Sequence, residues 1–427
     1  MKPTEDTKLG GLQTALSRRD LLKGAAALTA AASVPVAFGQ EPTGAPPGTV
    51  WLYISTYTGN HAAFGSNGEG IYLCSLNLST GKLIVLRLVA PVMPAMGMNP
   101  STASPSTIIL DPTRTHLYAG NEFGPPGAVS AYLINRLTGD LTYLNGQPAV
   151  GAPAYVGVDQ QGKYLFSAEY SGFHFEAFPI LADGSLGPMV FQQPDLGNVG
   201  PTKATNAPPG SFAISAHEGP NGHPHQMQTD PSNRWVLGAD AAQDRIYVWK
   251  LTSGAMQPLT PAAIPFVNVP PGDGPRHFAF HPNGIWLYSI QEEASTIMFW
   301  RFNPDTGVLL QEQLISSLPP GFAGTNFTSE IRVSPDGNFV YGANRTNDTI
   351  TVFKVGHDGT LTEEGYASTL GDYPRIFTID PSGRFIVSGN QRADNVTTFS
   401  VNPGNGLLKF TGNYTPVGSP SGMAFLF

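Results

Sequence analysis

Ser106 to Gln147 runs STIILDPTRTHLYAGNEF, then AVSAYLIN, then GDLTYLNGQ. Short apolar runs broken at Asp-Pro, Pro-Gly and Gly-Asp are the pattern of four strands joined by turns. The same order returns at His277 (HFAFHPNGIWLYSIQEE, TIMFWRFN, GVLLQEQL), at Glu330 (EIRVSPDGNFVYGANR, TITVFKVG, GTLTEEGY) and at Ile376 (IFTIDPSGRFIVSGNQ, NVTTFSVN, GLLKFTGN). Further copies begin near Ala154 and His225, making six complete units. Trp51-Leu52-Tyr53-Ile54-Ser55 resembles a second strand with no first strand before it, while Ser421 to Phe427 is a first strand with no second after it. The two ends together make a seventh unit. The expected fold is all-β, a seven-bladed β-propeller of four-stranded antiparallel blades, closed by N- and C-terminal strands sharing one blade. A linear solenoid would cap its ends instead of leaving spare strands.

Composition agrees with that reading. Gly 49 and Pro 39 supply turns, and 41% hydrophobic residues against 13% charged suit many short buried strands. Residues 1–39 hold five Lys/Arg and three Asp/Glu, leaving the remainder at 18 against 28, a net charge of −10. An acidic body is a poor partner for nucleic acid or an anionic membrane, so neither is expected for the mature form. The partner expected is a small molecule, and the chain is expected to be a monomer. The single cysteine, Cys74, lies in the strand-like run Ile71-Tyr72-Leu73-Cys74 with no basic residue nearby in sequence, which reads as a buried structural thiol.

The first 39 residues read as an address. Ser17-Arg18-Arg19-Asp20-Leu21-Leu22-Lys23 precedes an Ala-rich stretch from Gly24 to Phe38, and Ala37-Phe38-Gly39 forms a small-x-small site before Gln40. This is a twin-arginine signal, with Leu21 where Phe is common. The stretch is too short and too weakly apolar to span a bilayer comfortably. The organisation expected is a signal at 1–39, a linker at 40–50 and one propeller at 51–427. The mature protein is then exported, periplasmic or secreted, along a route that carries proteins already folded.

In a propeller the start of each first strand and the end of each second strand share one channel mouth. Across blades one to seven the first set is Ser421, Ser106, Ala154, His225, Arg276, Ser329 and Arg375; the second is Tyr57, Glu122, Tyr170, Ala241, Glu292, Arg345 and Gln391. In a charge-poor chain these place His225, Arg276, Glu292 and Arg345 on adjacent blades. Arg can grip an anion in two-point contact or stabilise an oxyanion, and Glu or His can take a proton from water. The four are the expected catalytic set, with Arg375, His277, Glu122 and Gln391 at the same rim expected to bind substrate. A salt-bridge network plugging a polar channel is the structural alternative. Long Pro/Gly-rich joins at 91–104, 195–222 and 317–328 are expected on this face.

His217, His223 and His225 with Glu218 or Glu292 raise the question of a divalent ion, but their spacing is not diagnostic and no metal is expected. No phosphate-cradling Gly loop occurs in a strand-to-helix context, so no cofactor is expected either. Asp111, Asp159, Asp230 and Asp380 recur at one turn position and read as turn formers. Phe278, Phe280, Trp286, Trp300 and Phe302 alternate as strand core.

Gly274-Pro275-Arg276-His277-Phe278 with His281-Pro282-Asn283, Gln243-Asp244-Arg245-Ile246, Glu292, Asn344-Arg345 and Tyr373-Pro374-Arg375 resemble the lactonase family of seven-bladed propellers. That family includes bacterial 6-phosphogluconolactonase and fungal carboxymuconate-cyclising enzymes, and the resemblance covers the chain after the signal. It implies metal-independent opening or formation of a lactone by a His, two Arg and a Glu, which fall on His225, Arg276, Arg345 and Glu292. Two departures bear on substrate: the export signal, and Asp240-Ala241-Ala242 where some cytoplasmic members place a basic residue. Both weaken the case for a phosphate-bearing substrate, and the reaction expected is the opening of a sugar-type or related anionic lactone, held by Arg276 and Arg345, by water that Glu292 or His225 activates. A non-catalytic propeller binding a ligand or protein at the mouth is the alternative function.

Overall fold

The computed structural model describes residues 43–58, 66–91, 104–122, 127–212 and 219–427. The signal at 1–39, together with His217 and Glu218, lies outside them. Among the described residues, 28 strands form seven four-stranded antiparallel sheets and no helix occurs. Blade one takes its inner strand, Pro420–Leu426, from the end of the chain and its other three, Thr49–Thr56, Gly70–Asn77 and Leu83–Pro91, from the beginning. The expected closure of the ring is the observed one.

Each sheet has an apolar face that it cannot bury alone. The core is accordingly divided into wedges between neighbouring blades. Leu52, Ile54 and Cys74 of blade one pack with Phe385 and Val387 of blade seven, and Leu237 and Val248 of blade four pack with Phe278 and Trp300 of blade five. Cys74 is fully buried, and burial pushes its thiol up to about 12. It is a packing residue.

The recurring aspartates do what their position suggests. Asp230 accepts hydrogen bonds from the backbone N–H groups of Arg234 (2.9 Å) and Trp235 (2.8 Å), closing the turn between first and second strands. Asp111, Asp159 and Asp380 repeat the arrangement at His116, Tyr164 and Phe385.

At the other end of the blades the register breaks. In the inner pair of blade four, Pro224 faces Asp240 but Gln226 faces Ala239, so His225 is an extra, unpaired residue. Pro275 and His277 leave Arg276 unpaired in the same way, and Pro374 and Ile376 leave out Arg375. The register also shifts at this end of the other blades, and in blade six the break takes in both Ser329 and Glu330. A bulge re-aims the side chain it carries, and the proline opening most inner strands has no N–H to lose from the ladder.

Candidate active site at the channel mouth

Both sets of mouth residues are positioned by backbone repeated around the ring. The residue past each second strand donates its N–H to the carbonyl two residues before the bulge of its own blade: Glu292 to Gly274 (2.7 Å), Arg345 to Phe327 (2.7 Å), Gln391 to Tyr373 (3.0 Å) and Glu122 to Ser104 (2.9 Å). Tyr57, Tyr170 and Ala241 do the same. The turn that launches Arg276 is held by a second device. The Asp244 carboxylate accepts from the N–H groups of Gly272 (2.6 Å) and Gly274 (3.0 Å), tying Gln243-Asp244-Arg245 to Gly274-Pro275-Arg276. Gly274 has φ of +69°, which an L side chain would oppose.

Arg276, Glu292 and Arg345 meet. The Arg345 Nη2 bonds Glu292 Oε1, and Arg276 Nε lies 3.5 Å from Glu292 Oε2. Arg276, 1% exposed, also donates through Nη1 to the Ser329 carbonyl. Arg345 is further framed by the rings of Tyr373 (5.1 Å) and Phe327 (5.5 Å). Burial pushes the Glu292 carboxyl up, but Arg345 and Arg276 outweigh it and hold the group below the usual carboxylate range. Burial and the nearby Arg345 charge draw Arg276 down to about 10, against the pull of Glu292; it stays charged at neutral pH.

A second cluster closes the ring. Arg375 Nη2 lies 3.3 Å from Glu122 Oε2, which also accepts from the Tyr57 hydroxyl at 2.6 Å. Arg375 lies over the Tyr57 ring at 4.9 Å. Gln391 is buried just past the end of its second strand, Phe385–Asn390.

The histidines separate into two groups. His223 stacks on Tyr170 with ring centroids 4.2 Å apart, its Nδ1 3.0 Å from the Tyr170 carbonyl. His225 faces inward instead, with Nδ1 3.1 Å from His277 Nε2. Burial, then the charge of Arg276, drives the His225 imidazole well below its ordinary value, so it is neutral. Among the described residues no group of three or more His, Cys, Asp or Glu could hold a metal ion.

Of the eight residues expected at the site, the structure brings Arg276, Glu292 and Arg345 into one contact, Glu122 and Arg375 into another, and His225 and His277 into a third. Three participants were missed. Glu330 Oε2 lies 3.3 Å from His277 Nδ1, Arg332 Nε lies 3.4 Å from Glu330 Oε1, and Tyr155 meets His277 edge-on at 5.4 Å. The signal for Glu330 was present one step along: the residue following the bulge reads Gln226, His277 and Glu330 in blades four to six. Arg276, Arg375, His277, Glu330 and Arg332 also line a cavity of about 490 Å³ that occupies the channel and continues to Arg114 and Gln160 at its far end.

The described part of the 195–222 join lies along the mouth face. Asn206 bonds Asp273 through backbone and side chain (3.0 and 2.7 Å), and Pro209 accepts from Gly324 in the 317–328 join (2.7 Å). Leu196 and Asn221 bridge where the segment returns.

Comparison with known proteins agrees with the geometry. The family described as "Lactonase, 7-bladed beta-propeller" matches residues 51–425. A twin-arginine translocation signal matches residues 15–35, so the chain carries an export signal of that type. The 6-phosphogluconolactonase of Bacillus subtilis (strain 168) is 31% identical over 330 residues, 77% of this chain and 84% of that one. The 6-phosphogluconolactonase of Serratia proteamaculans is 32% identical over 273 residues, 64% and 73%. The solved periplasmic gluconolactonase of Pseudomonas aeruginosa superposes with a TM-score of 0.75 at 27% identity, covering 89% of this chain and 99% of that one. With the match running from the first strand to the last, the chain belongs to the lactonase family of seven-bladed β-propellers.

Proposed function

We propose that the chain, once exported, hydrolyses a neutral sugar-type lactone at the channel mouth. The observation that carries this reading is that His225, a buried and neutral imidazole, feels the charges of Arg276 and Arg375 among fixed guanidinium groups. His225 takes a proton from water as the water adds to the lactone carbonyl. Arg276 and Arg345 stabilise the oxyanion that forms. As the C–O bond of the ring breaks, the His225 imidazolium returns the proton to the leaving alkoxide, and the product is a hydroxy acid. Glu292 is the weaker candidate for the base, because two guanidinium groups engage its carboxylate and hold its proton affinity down. Its role is to aim them.

Charge balance bears on the substrate. Arg276, Arg345 and Arg375 face Glu292, Glu122 and the buried Glu293, whose charge Arg345 also feels. Arg276, Arg345 and Arg375 are each already engaged by a carboxylate, which weighs against a phosphate dianion as their partner. The export signal and the name of the Pseudomonas aeruginosa neighbour, a periplasmic gluconolactonase, favour the same class.

The test is acid release in a pH-stat by the protein from Gln40 to Phe427, with gluconolactone, phosphogluconolactone and muconolactone. Gluconolactone is expected to be opened fastest. Arg276→Ala and Glu292→Gln are expected to lower kcat by about 10²-fold or more while the fold survives. Background rates on every lactone, with saturable binding of one of them, would replace the enzyme by a ligand-binding propeller.

A further inference from the structure

His225 can act as a base only if the right nitrogen carries its lone pair. An imidazole that is neutral has one N–H and one bare nitrogen, and the neighbours decide which is which. The chain of contacts behind His225 is therefore read from its far end.

Glu330 is 3% exposed, and its two oxygens face different partners. Oε1 accepts from the Ile331 backbone N–H at 3.1 Å and lies 3.4 Å from Arg332 Nε. Oε2 lies 3.3 Å from His277 Nδ1. Burial pushes this carboxyl up, but Arg332 and His277 outweigh it and hold it down at about 2, so it is ionised and can only accept. Burial lowers His277 to about 4 despite Glu330, so His277 is neutral. Its one proton belongs on Nδ1, facing the carboxylate, which leaves Nε2 bare. The 3.1 Å contact between His277 Nε2 and His225 Nδ1 then requires His225 to be the donor. Its Nδ1 carries the proton, and its Nε2 carries the lone pair.

We propose that Glu330 and His277 are positioning residues that lock His225 in the Nδ1–H tautomer and so make Nε2 the atom that takes the proton from water. The inference rests on the reading of His225 as the base. The charged and titratable groups around the pair are Arg276, Arg375, Tyr170 and His223 about His225, and Arg276, Arg332, Glu330 and Tyr155 about His277. None of them offers His277 Nδ1 a donor in competition with the carboxylate, because Arg332 lies on the other oxygen of Glu330, Arg276 on Glu292 and Arg375 on Glu122.

Glu330→Gln tests the lock with almost no change of shape. The Ile331 N–H donates to the Oε1 position and the Arg332 cation lies 3.4 Å from it, so the amide oxygen settles there and the amide NH₂ takes the Oε2 position. His277 Nδ1 must then accept, its proton moves to Nε2, and His225 is forced into the Nε2–H form. The lone pair now points away from substrate. Exchanging the orienting carboxylate of a hydrolytic histidine for an amide costs on the order of 10⁴ in kcat in a serine protease; here a loss of about 10²- to 10⁴-fold is expected, with KM within about twofold.

The tautomers are read directly by ¹⁵N NMR of the imidazole rings in substrate-free protein, with the two signals assigned from His225→Gln and His277→Gln. Wild type is expected to show His225 protonated at Nδ1 and bare at Nε2, and Glu330→Gln the reverse. A wild-type His225 protonated at Nε2 overturns the proposal, whether or not the variant folds. So does a folded Glu330→Gln protein with wild-type kcat. Lactone turnover surviving in His225→Gln overturns the base assignment instead, and leaves the tautomer measurement standing.

Discussion

His225 is the residue whose chemistry is most constrained by its surroundings. Burial and the charge of Arg276 drive its pKa well below 6.5. A group shifted in this direction stays neutral, and able to accept a proton, down past pH 6.5. The acid limb of kcat/KM is therefore expected below that value, in a pH–rate profile on whichever lactone is turned over; a limb at or above pH 6.5 would count against His225. Glu292 is shifted the other way for a carboxylate. Its folded pKa is depressed, so its ionised form contributes stability above the unfolded value of about 4.5, and that contribution is lost as pH falls through the folded value. His225, Arg276, Glu292 and Arg345 were legible in the sequence because aligning the repeats aligns the bulges, and a bulge residue is aimed at the mouth in every blade. Glu330 and Arg332 were not. They sit on the wall of the channel, where Glu330 meets His277 of blade five, and no comparison of single positions reveals a contact across blades.

Each blade separates two tasks at its two ends. At the end away from the mouth an aspartate turn fixes the strand pair in four of the blades; at the mouth the register breaks and the side chains differ from blade to blade. Asp230→Ala removes the acceptor for the N–H groups of Ser232, Arg234 and Trp235. It is expected to cost about 1–3 kcal/mol of stability and to leave kcat unchanged, as measured by thermal melting alongside acid release. A fall in kcat without loss of stability would mean that the two ends are coupled through the strand. The strands themselves were readable from alternation and turn residues. The bulges were not, since an extra residue leaves the apolar pattern of so short a strand almost intact; they emerge only from the pairing of Pro224 with Asp240 and Gln226 with Ala239.

Across the molecule, the sheets are held to one another by apolar wedges, and some buried carboxyls lie among them. Glu169 and Glu176, both fully buried in blade three, feel each other's charge. Burial raises Glu176 to about 7 and raises Glu169 well above the carboxylate range. A raised carboxyl favours the folded state while it is protonated, so stability is full below about pH 4.5 and falls as pH rises through about 7. Glu176→Gln is expected to stabilise the protein by on the order of 1–3 kcal/mol at pH 8 and to change little at pH 5, read by denaturant melts at both values. Equal effects at the two pH values would show that Glu176 does not titrate in the folded protein.

The ring is closed by pairing Pro420–Leu426 with Thr49–Thr56, whose residues are separated by almost the whole polypeptide. On the ribosome, Thr49–Thr56 emerges early and has no inner neighbour until Pro420–Leu426 has been made. Six blades can assemble during synthesis, but the wedges on either side of blade one stay open until Leu426 is released. A chain broken off before its final strand therefore keeps Leu52, Ile54 and the inner wall of its first sheet exposed, and cannot pass for a finished one. For a protein sent out by a route that accepts folded cargo, the strand Pro420–Leu426 is the piece that turns seven sheets into a closed ring.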